Sequence, residues 1–236
     1  MSAAPKAARH DGTLALIGGD EWTPGCEALD RRLAETAGAK EVVVIPAAAA
    51  YEHPERIADR AAAWFAPLGL KVRVLPVLRR PDAEDVKHAE TVRRARFVYI
   101  VDGSPLHLRS VLKDSALFDA VLAAYHGGAS LAASGAGATL VGDPMVDPRG
   151  GAYTVGLGVV PDVAVFPYHG TAADHLRERS IDLLPPTATL VGVDGATALV
   201  RAADGTWTVD GVGEVTLYHG RDTTRFGVGD AVPGLR

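Results

Sequence analysis

The stretch Ala132-Ala133-Ser134-Gly135-Ala136-Gly137-Ala138 decides the fold, and it follows the short run Ala129-Ser130-Leu131. A strand that breaks at a turn of small residues and continues as a helix has the layout of a nucleophile elbow. Such a turn lifts one residue to the top of a sheet, among backbone N–H groups and a helix N-terminus. We place Gly135 at the tip, where it has no side chain that could attack a substrate. The pattern therefore predicts a hydrolase scaffold from which the usual nucleophile is missing.

Short β-branched runs alternate with helical patterns through the first two-thirds of the chain, which is typical of a parallel sheet with crossover helices. Strands are predicted over residues 14–17, 41–45, 71–77 and 97–101 and directly before the elbow. Helices are predicted over about residues 25–37, 54–68, 83–94 and 117–125, and another begins near Pro105. The elbow and the turn Asp102-Gly103-Ser104 should both lie at the carboxyl edge of the sheet, where open α/β folds bind ligands.

After Gly142, glycine and proline become frequent and the strand-like runs are short. Asp204-Gly205 and Asp210-Gly211 have the composition of tight turns between antiparallel strands. We therefore expect one α/β domain over residues 1–236. Its mostly parallel central sheet should be flanked by helices and extended by antiparallel strands in the C-terminal third, with residues 1–11 flexible.

The composition narrows the classes of partner and compartment. Hydrophobic residues make up 47% of the chain, which is enough for a full core, and the net charge of −5 gives no reason to expect nucleic acid or an anionic membrane as a partner. A single cysteine, Cys26, excludes an internal disulfide framework and fits a reducing compartment. Residues 1–11 contain no apolar core of signal-peptide length. We expect a soluble cytoplasmic protein.

Several motifs, taken in order, resemble the dipeptidase E and cyanophycinase family of serine peptidases, which has a class I glutamine amidotransferase-like fold. The motifs are Gly18-Gly19-Asp20-Glu21-Trp22, Ile45-Pro46-Ala47-Ala48, Gly103-Ser104-Pro105-Leu106-His107-Leu108, Ser134-Gly135-Ala136-Gly137-Ala138, Gly156-Leu157-Gly158 and Val193-Asp194 with Thr197-Ala198. No single motif is specific, but their order and spacing together are. The resemblance covers nearly the whole chain.

Three departures from the family pattern fall on its functional positions. The family elbow reads Gly-x-Ser-Ala-Gly-Ala, and Gly135 stands where the family has its serine. The family histidine follows a proline at the end of a strand, and the matching residue here is Tyr168, with His169 one place later. A second acidic residue that the family carries before its Thr-Ala pair is Gly195 here, while Asp194 is kept. The standard serine mechanism needs a nucleophile and an adjacent base, so we expect it to be lost.

The resemblance implies a catalytically degenerate relative, a pseudoenzyme. It would bind a small peptide or amino-acid-like ligand at the elbow, or act as a non-catalytic subunit, and the family precedent allows a monomer or a homodimer. A ligand carbonyl or carboxylate would be bound by backbone N–H groups. The expected donors are those of Gly103, Ser104, Gly135 and Ala136, and the expected wall residues are Tyr168, His169 and Asp194.

The alternative is that the chain is still an enzyme. It would be an atypical serine hydrolase that cleaves short aspartyl-type peptides through Ser134, or a non-covalent acid–base enzyme that uses His169 and Asp194. Because strand side chains alternate, the hydroxyl of Ser134 should point away from the mouth of the elbow. His169 lies near Asp174 and His175, but no further ligand stands at a metal-site spacing, and residues 18–21 lack a nucleotide-binding fingerprint. We expect neither a metal nor a cofactor.

Overall fold

The structure is a computed structural model, and it describes residues 11–235. Its strands are β1 (Leu14–Ile17), β2 (Glu41–Ile45), β3 (Lys71–Val74), β4 (Phe97–Ile100), β5 (Ser130–Ser134), β6 (Gly142–Asp143), β7 (Met145–Val146), β8 (Tyr153–Thr154), β9 (Val160–Pro161), β10 (Val163–Phe166), β11 (Thr189–Val193), β12 (Thr197–Arg201), β13 (Trp207–Gly211), β14 (Val215–His219) and β15 (Asp222–Phe226). Its helices are α1 (Glu27–Ala37), α2 (Glu55–Phe65), α3 (Arg80–Ala83), α4 (Val86–Arg93), α5 (Pro105–Leu112), α6 (Ala116–Tyr125), α7 (Ala136–Val141) and α8 (Asp174–Asp182). The flexibility expected for residues 1–11 falls, except for Asp11, outside the described residues.

The main sheet has seven strands in the order β13-β12-β1-β5-β4-β2-β3. The five strands from β1 to β3 in that order pair in parallel, whereas β12 and β13 add an antiparallel edge. The prediction of a mostly parallel, helix-flanked sheet with antiparallel strands from the C-terminal third is therefore confirmed. The carboxyl ends of β4 and β5 lie side by side, which places residues 101–105 next to the elbow.

The later strands do more than extend this sheet. A second sheet runs in the order β15-β14-β11-β10-β6-β9, and a two-stranded sheet pairs β7 with β8. The prediction that Asp210-Gly211 forms a tight turn between two paired antiparallel strands is therefore wrong. β13, which precedes the turn, pairs with β12, whereas β14, which follows it, pairs with β11. Gly211 has a φ of +108°, and from there the chain crosses from one sheet to the other.

Two predicted elements in the first half are shorter than expected. The third strand ends at Val74 rather than Val77, because Pro76 has no N–H to continue the ladder. The separate short helix α3 ends at Ala83, and the helix predicted over residues 83–94 is α4, which spans only Val86–Arg93. Asp85 begins the second of these, since its side chain accepts a hydrogen bond from the Lys87 amide at 2.8 Å.

The alternation of β5 sorts its side chains between two buried layers. Ala132 packs in the cluster that α1 and α2 form on one face of the main sheet. Ala133 packs on the opposite face, in the cluster formed by α4 to α7 and the inner strands of the second sheet. Ser134, two residues beyond Ala132, therefore faces α1 and α2. None of the helices within residues 11–235 is long and apolar enough to cross a bilayer.

Candidate active site

Gly135 forms the tip of the elbow between β5 and α7. Its φ of +47° and ψ of −104° lie in a region that L side chains rarely adopt, so the turn favours glycine. The Gly135 amide donates to the Ile17 carbonyl at 2.9 Å, and the Thr139 amide donates to the Gly135 carbonyl at 3.0 Å. The elbow is thus fixed by backbone bonds to β1 and within α7, and it needs no side chain at its tip.

The carboxylate of Asp102 fills the space in front of this tip. Its Oδ1 atom accepts hydrogen bonds from the Ala136 amide at 2.6 Å and from the Gly103 amide at 2.7 Å. A Cβ atom built on Gly135 would lie 2.1 Å from the Asp102 Cγ atom, far inside van der Waals contact. The carboxylate therefore occupies the place of a nucleophile side chain, together with two amides that could otherwise stabilise an oxyanion.

Tyr168 completes the contacts of Asp102. Its hydroxyl donates to the second carboxylate oxygen at 2.5 Å, and its ring covers Gly19, where an added Cβ would lie 2.1 Å from the ring. Tyr168 adopts a φ of +53°, which is strained for an aromatic residue. Burial raises the pKa of the phenol well above its usual range, and the hydrogen bond to Asp102 raises it further. Tyr168 therefore keeps its proton and acts as a hydrogen-bond donor to Asp102.

The four amides predicted to receive a ligand all have partners within the chain. Those of Gly103 and Ala136 donate to Asp102, and that of Gly135 donates to β1. The Ser104 amide donates to the Ala48 carbonyl at 2.9 Å, and its side chain accepts from the His107 amide as the N-cap of α5. This corrects the expected mode of ligand binding. Of the four, the Gly103 and Ala136 amides converge at the elbow, and the Asp102 carboxylate of the same chain takes both.

Ser134 points away from the elbow, in the direction that strand alternation predicts. The residue is fully buried, and its hydroxyl donates to the Glu21 Oε2 atom at 2.9 Å. Burial raises the pKa of Glu21 above its usual range, and the charge of Asp102 adds to that rise. The structure thus separates Ser134 from the tip of the elbow and joins it to a buried carboxyl group.

A second buried acid lies beneath the same face of the sheet. Asp30 on α1 is fully buried and accepts a hydrogen bond from the Trp64 indole at 2.7 Å, while its other oxygen has no partner within the described residues. Burial raises the pKa of Asp30 to about 7. The charges of Asp30 and Glu21 both raise the pKa of the buried Tyr99 phenol, so these groups form one polar cluster inside the protein.

His169 and Asp194 lie apart from the elbow cavity. The His169 Nδ1 atom is 3.6 Å from the Asp194 Oδ1 atom, and its Nε2 atom lies 2.7 Å from the Tyr218 hydroxyl. Burial lowers the pKa of His169, although Asp194 opposes that shift. These residues line a cavity of about 700 Å³ over the second sheet, together with Arg177 and Arg225. Of the predicted wall residues, only Tyr168 reaches the elbow.

The cavity at the elbow itself has a volume of about 260 Å³. Asp102, Gly103, Ala136 and Tyr168 form its polar end. Much of the remaining wall is apolar and comes from Pro105, Val146, Pro148, Phe166, Pro167, Ala172 and Leu176. Sequence reasoning named Gly103, Ala136 and Tyr168 but missed Asp102 as a site residue. An acidic residue at the end of a central strand, beside the elbow strand, was the available signal.

An elbow at the carboxyl edge of a mostly parallel sheet, flanked by helices on both faces, defines an α/β protein of the serine-hydrolase type. More specifically, residues 14–207 match the model of Peptidase family S51, and the chain belongs to that family.

Named relatives and solved structures agree with this assignment. The chain is 27% identical to a cyanophycinase of Geminocystis herdmanii over 227 residues, which cover 89% of this chain and 81% of that protein. It is 26% identical to a cyanophycinase of Synechococcus elongatus over 231 residues, covering 91% of this chain and 70% of that protein. A peptidase from an acI-B1 Actinobacterium superposes with a TM-score of 0.86 at 28% identity, covering 95% of this chain and 98% of that one. A putative peptidase E protein from Listeria monocytogenes shares the fold, with a TM-score of 0.61 at 14% identity over 91% of this chain and 98% of that one.

Proposed function

We propose that this chain is a catalytically degenerate member of Peptidase family S51 that binds a small peptide or amino-acid-like ligand in the elbow cavity. The observation that carries the proposal is the Asp102 carboxylate, which lies in front of Gly135 and accepts hydrogen bonds from the Gly103 and Ala136 amides. The nucleophile and the free oxyanion donors, the two parts that acyl transfer needs most, are both replaced at this place.

The neighbouring serine does not supply a substitute. Ser134 has no accessible surface, and its hydroxyl is bound to Glu21 on the face of the sheet that α1 and α2 cover. A serine nucleophile must lie within hydrogen-bond reach of a base and in contact with the substrate carbonyl. Loss of a triad nucleophile leaves only a factor of roughly 10³ to 10⁴ over water from binding and oxyanion stabilisation. With the donors also occupied, we expect even this residual catalysis to be absent.

Ligand binding is supported by the cavity that remains. It opens beside Asp102 and Tyr168 at the carboxyl edge of the sheet, where α/β folds bind their ligands. Its volume of about 260 Å³ is slightly below the roughly 300–1,000 Å³ of pockets for drug-sized molecules. The cavity would therefore admit one amino-acid unit or the end of a short peptide.

The test combines an activity assay with a binding assay. Wild-type protein is incubated with α-aspartyl, β-aspartyl and neutral dipeptides and, separately, with a serine-reactive fluorophosphonate, and we expect neither hydrolysis nor labelling. The same dipeptides are then titrated by calorimetry into wild type and Leu176→Trp, which places an indole in the cavity wall. Leu183→Trp is the matched control, because Leu183 is 46% exposed and does not line the cavity.

We expect at least one dipeptide of the panel to bind to wild type and to Leu183→Trp, and that binding to be lost in Leu176→Trp. Hydrolysis by wild type that Ser134→Ala abolishes would refute catalytic degeneracy. Binding that Leu176→Trp leaves unchanged would place the ligand elsewhere on the protein.

A further inference from the structure

We infer that the elbow cavity selects the amino end of a ligand with an apolar side chain, and that it rejects acidic peptides. This inference rests on the proposed ligand-binding function and names the chemical class of that ligand.

The walls of the cavity determine the side chain that fits. Most of the lining residues other than those at its polar end are apolar, and they include Pro105, Val146, Phe166 and Leu176. Burying an apolar group against such walls is favourable by roughly 25 cal/mol for each Å² removed from water. A carboxylate placed there would lose its hydration, and the apolar wall would offer it no hydrogen bonds in return. The apolar part of the cavity therefore favours an aliphatic or aromatic side chain.

The charges around the cavity determine the polar group that fits. Asp102 and Asp147 line the wall, and within residues 11–235 no Lys, Arg or His side chain does so. Asp147 is paired with Arg149 at 2.6 Å, whereas the hydrogen-bond partners of Asp102 within residues 11–235 are two amides and a phenol, all of them neutral. The charge of Asp102 is thus uncompensated by a cation at the mouth of an apolar cavity.

The carboxylate of Asp102 also has room for one more donor. An ionised carboxylate offers about four acceptor positions, and three are taken, by Gly103, Ala136 and Tyr168. The charge of Asp102 makes the field at this point negative, since no cationic side chain within residues 11–235 lines the cavity. An ammonium group would donate a hydrogen bond to the remaining acceptor position and would be attracted by the negative charge of Asp102. A second carboxylate has no proton to donate and would be repelled by that charge.

The experiment measures dissociation constants by calorimetry for three probes: leucinamide, N-acetylleucinamide and α-aspartylglycine. The first two share the apolar side chain and differ in the ammonium charge. Each probe is titrated into wild type, Asp102→Asn and Asp147→Asn. Asparagine at 102 keeps an acceptor for the two amides and removes the charge, and Asp147→Asn is the matched control because Arg149 already neutralises that carboxylate. Thermal unfolding of each variant verifies that it is folded.

Wild type should bind leucinamide at least about tenfold more tightly than N-acetylleucinamide, the size of one charge-assisted hydrogen bond. The difference should fall below about threefold in Asp102→Asn and persist in Asp147→Asn. Equal affinities for the two leucine probes in wild type would overturn the role of Asp102. Tighter binding of α-aspartylglycine than of leucinamide, lost in Leu176→Trp, would overturn the inference and leave the proposed function standing. Absence of binding by all three probes and by the dipeptide panel would instead refute the proposed function.

Discussion

The contact between Gly135 and Asp102 can be measured by a double-mutant cycle on stability. The two changes are Gly135→Ala, which adds a Cβ atom 2.1 Å from the Asp102 Cγ atom, and Asp102→Ala, which removes the carboxylate. In the wild-type background an alanine at 135 must displace the carboxylate. It then deprives the Ala136 and Gly103 amides of their acceptor. In the Asp102→Ala background there is no carboxylate left to displace.

The structure gives a magnitude for each step. Holding a non-glycine residue at a φ of +47° costs about 1–2 kcal/mol. Each half-buried amide that loses its acceptor costs about 1–3 kcal/mol. Gly135→Ala should therefore destabilise wild type by about 3–8 kcal/mol and the Asp102→Ala protein by only about 1–2 kcal/mol. We expect a coupling free energy of at least about 2 kcal/mol.

The assay is urea unfolding followed by circular dichroism for the four proteins of the cycle. Gly38→Ala is the control for an alanine at positive φ that displaces no side chain, because Gly38 has a φ of +61° and a Cβ atom there would meet nothing within 4 Å. Its cost should be about 1–2 kcal/mol and should not change when Asp102 is replaced. Additivity of Gly135→Ala and Asp102→Ala within about 0.5 kcal/mol would refute the arrangement described for the elbow.

Three further predictions concern the groups around this contact. Asp30→Asn should remove a pH dependence. Burial raises the pKa of Asp30 from 3.8 to about 7, so its contribution to stability is full below pH 3.8 and is lost as pH rises to about 7. Between pH 4 and 8, the unfolding free energy of wild type should therefore fall by up to about 4 kcal/mol relative to that of the variant, as measured by urea titrations. Tyr168→Phe keeps the ring and deletes the hydrogen bond to Asp102, and it should lower the unfolding free energy by about 1.5–3 kcal/mol in the same assay. An unchanged unfolding free energy would refute that hydrogen bond. Ser134→Ala should cost about 1–3 kcal/mol, since Glu21 loses its donor, while leaving the calorimetric affinity for dipeptides unchanged; a weakened affinity would place the serine in the site.

The parts of the fold that local pattern determines could be predicted from the sequence. The elbow is of this kind, because a β-strand, a small-residue turn and a helix follow one another within twelve residues, from Ser130 to Val141. The second sheet is of the other kind. Two of its strands, β6 and β9, have only two residues each, and, apart from the hairpin of β14 and β15, the strands pair with segments that are distant in sequence, which no periodicity reveals.

The site, too, depends on contacts between residues that are distant in sequence. Asp102 meets Ala136 across 34 positions, and only the parallel register of β4 and β5 brings them together. Tyr168 and His169 are adjacent residues in one loop. Their side chains point to different cavities, one to the elbow and the other to the second sheet. Neither outcome follows from residue type or spacing alone.

The elbow and Asp102 constrain each other through packing and hydrogen bonding. A serine at position 135 would need the space that the carboxylate holds, and removal of the carboxylate alone would leave the Gly103 and Ala136 amides without an acceptor. Each single change is therefore destabilising, although both together would recreate an open elbow. The backbone bonds of Gly135 to β1 and α7 hold the turn in either case. The turn is thus maintained by packing and hydrogen bonding, whichever residue stands at position 102.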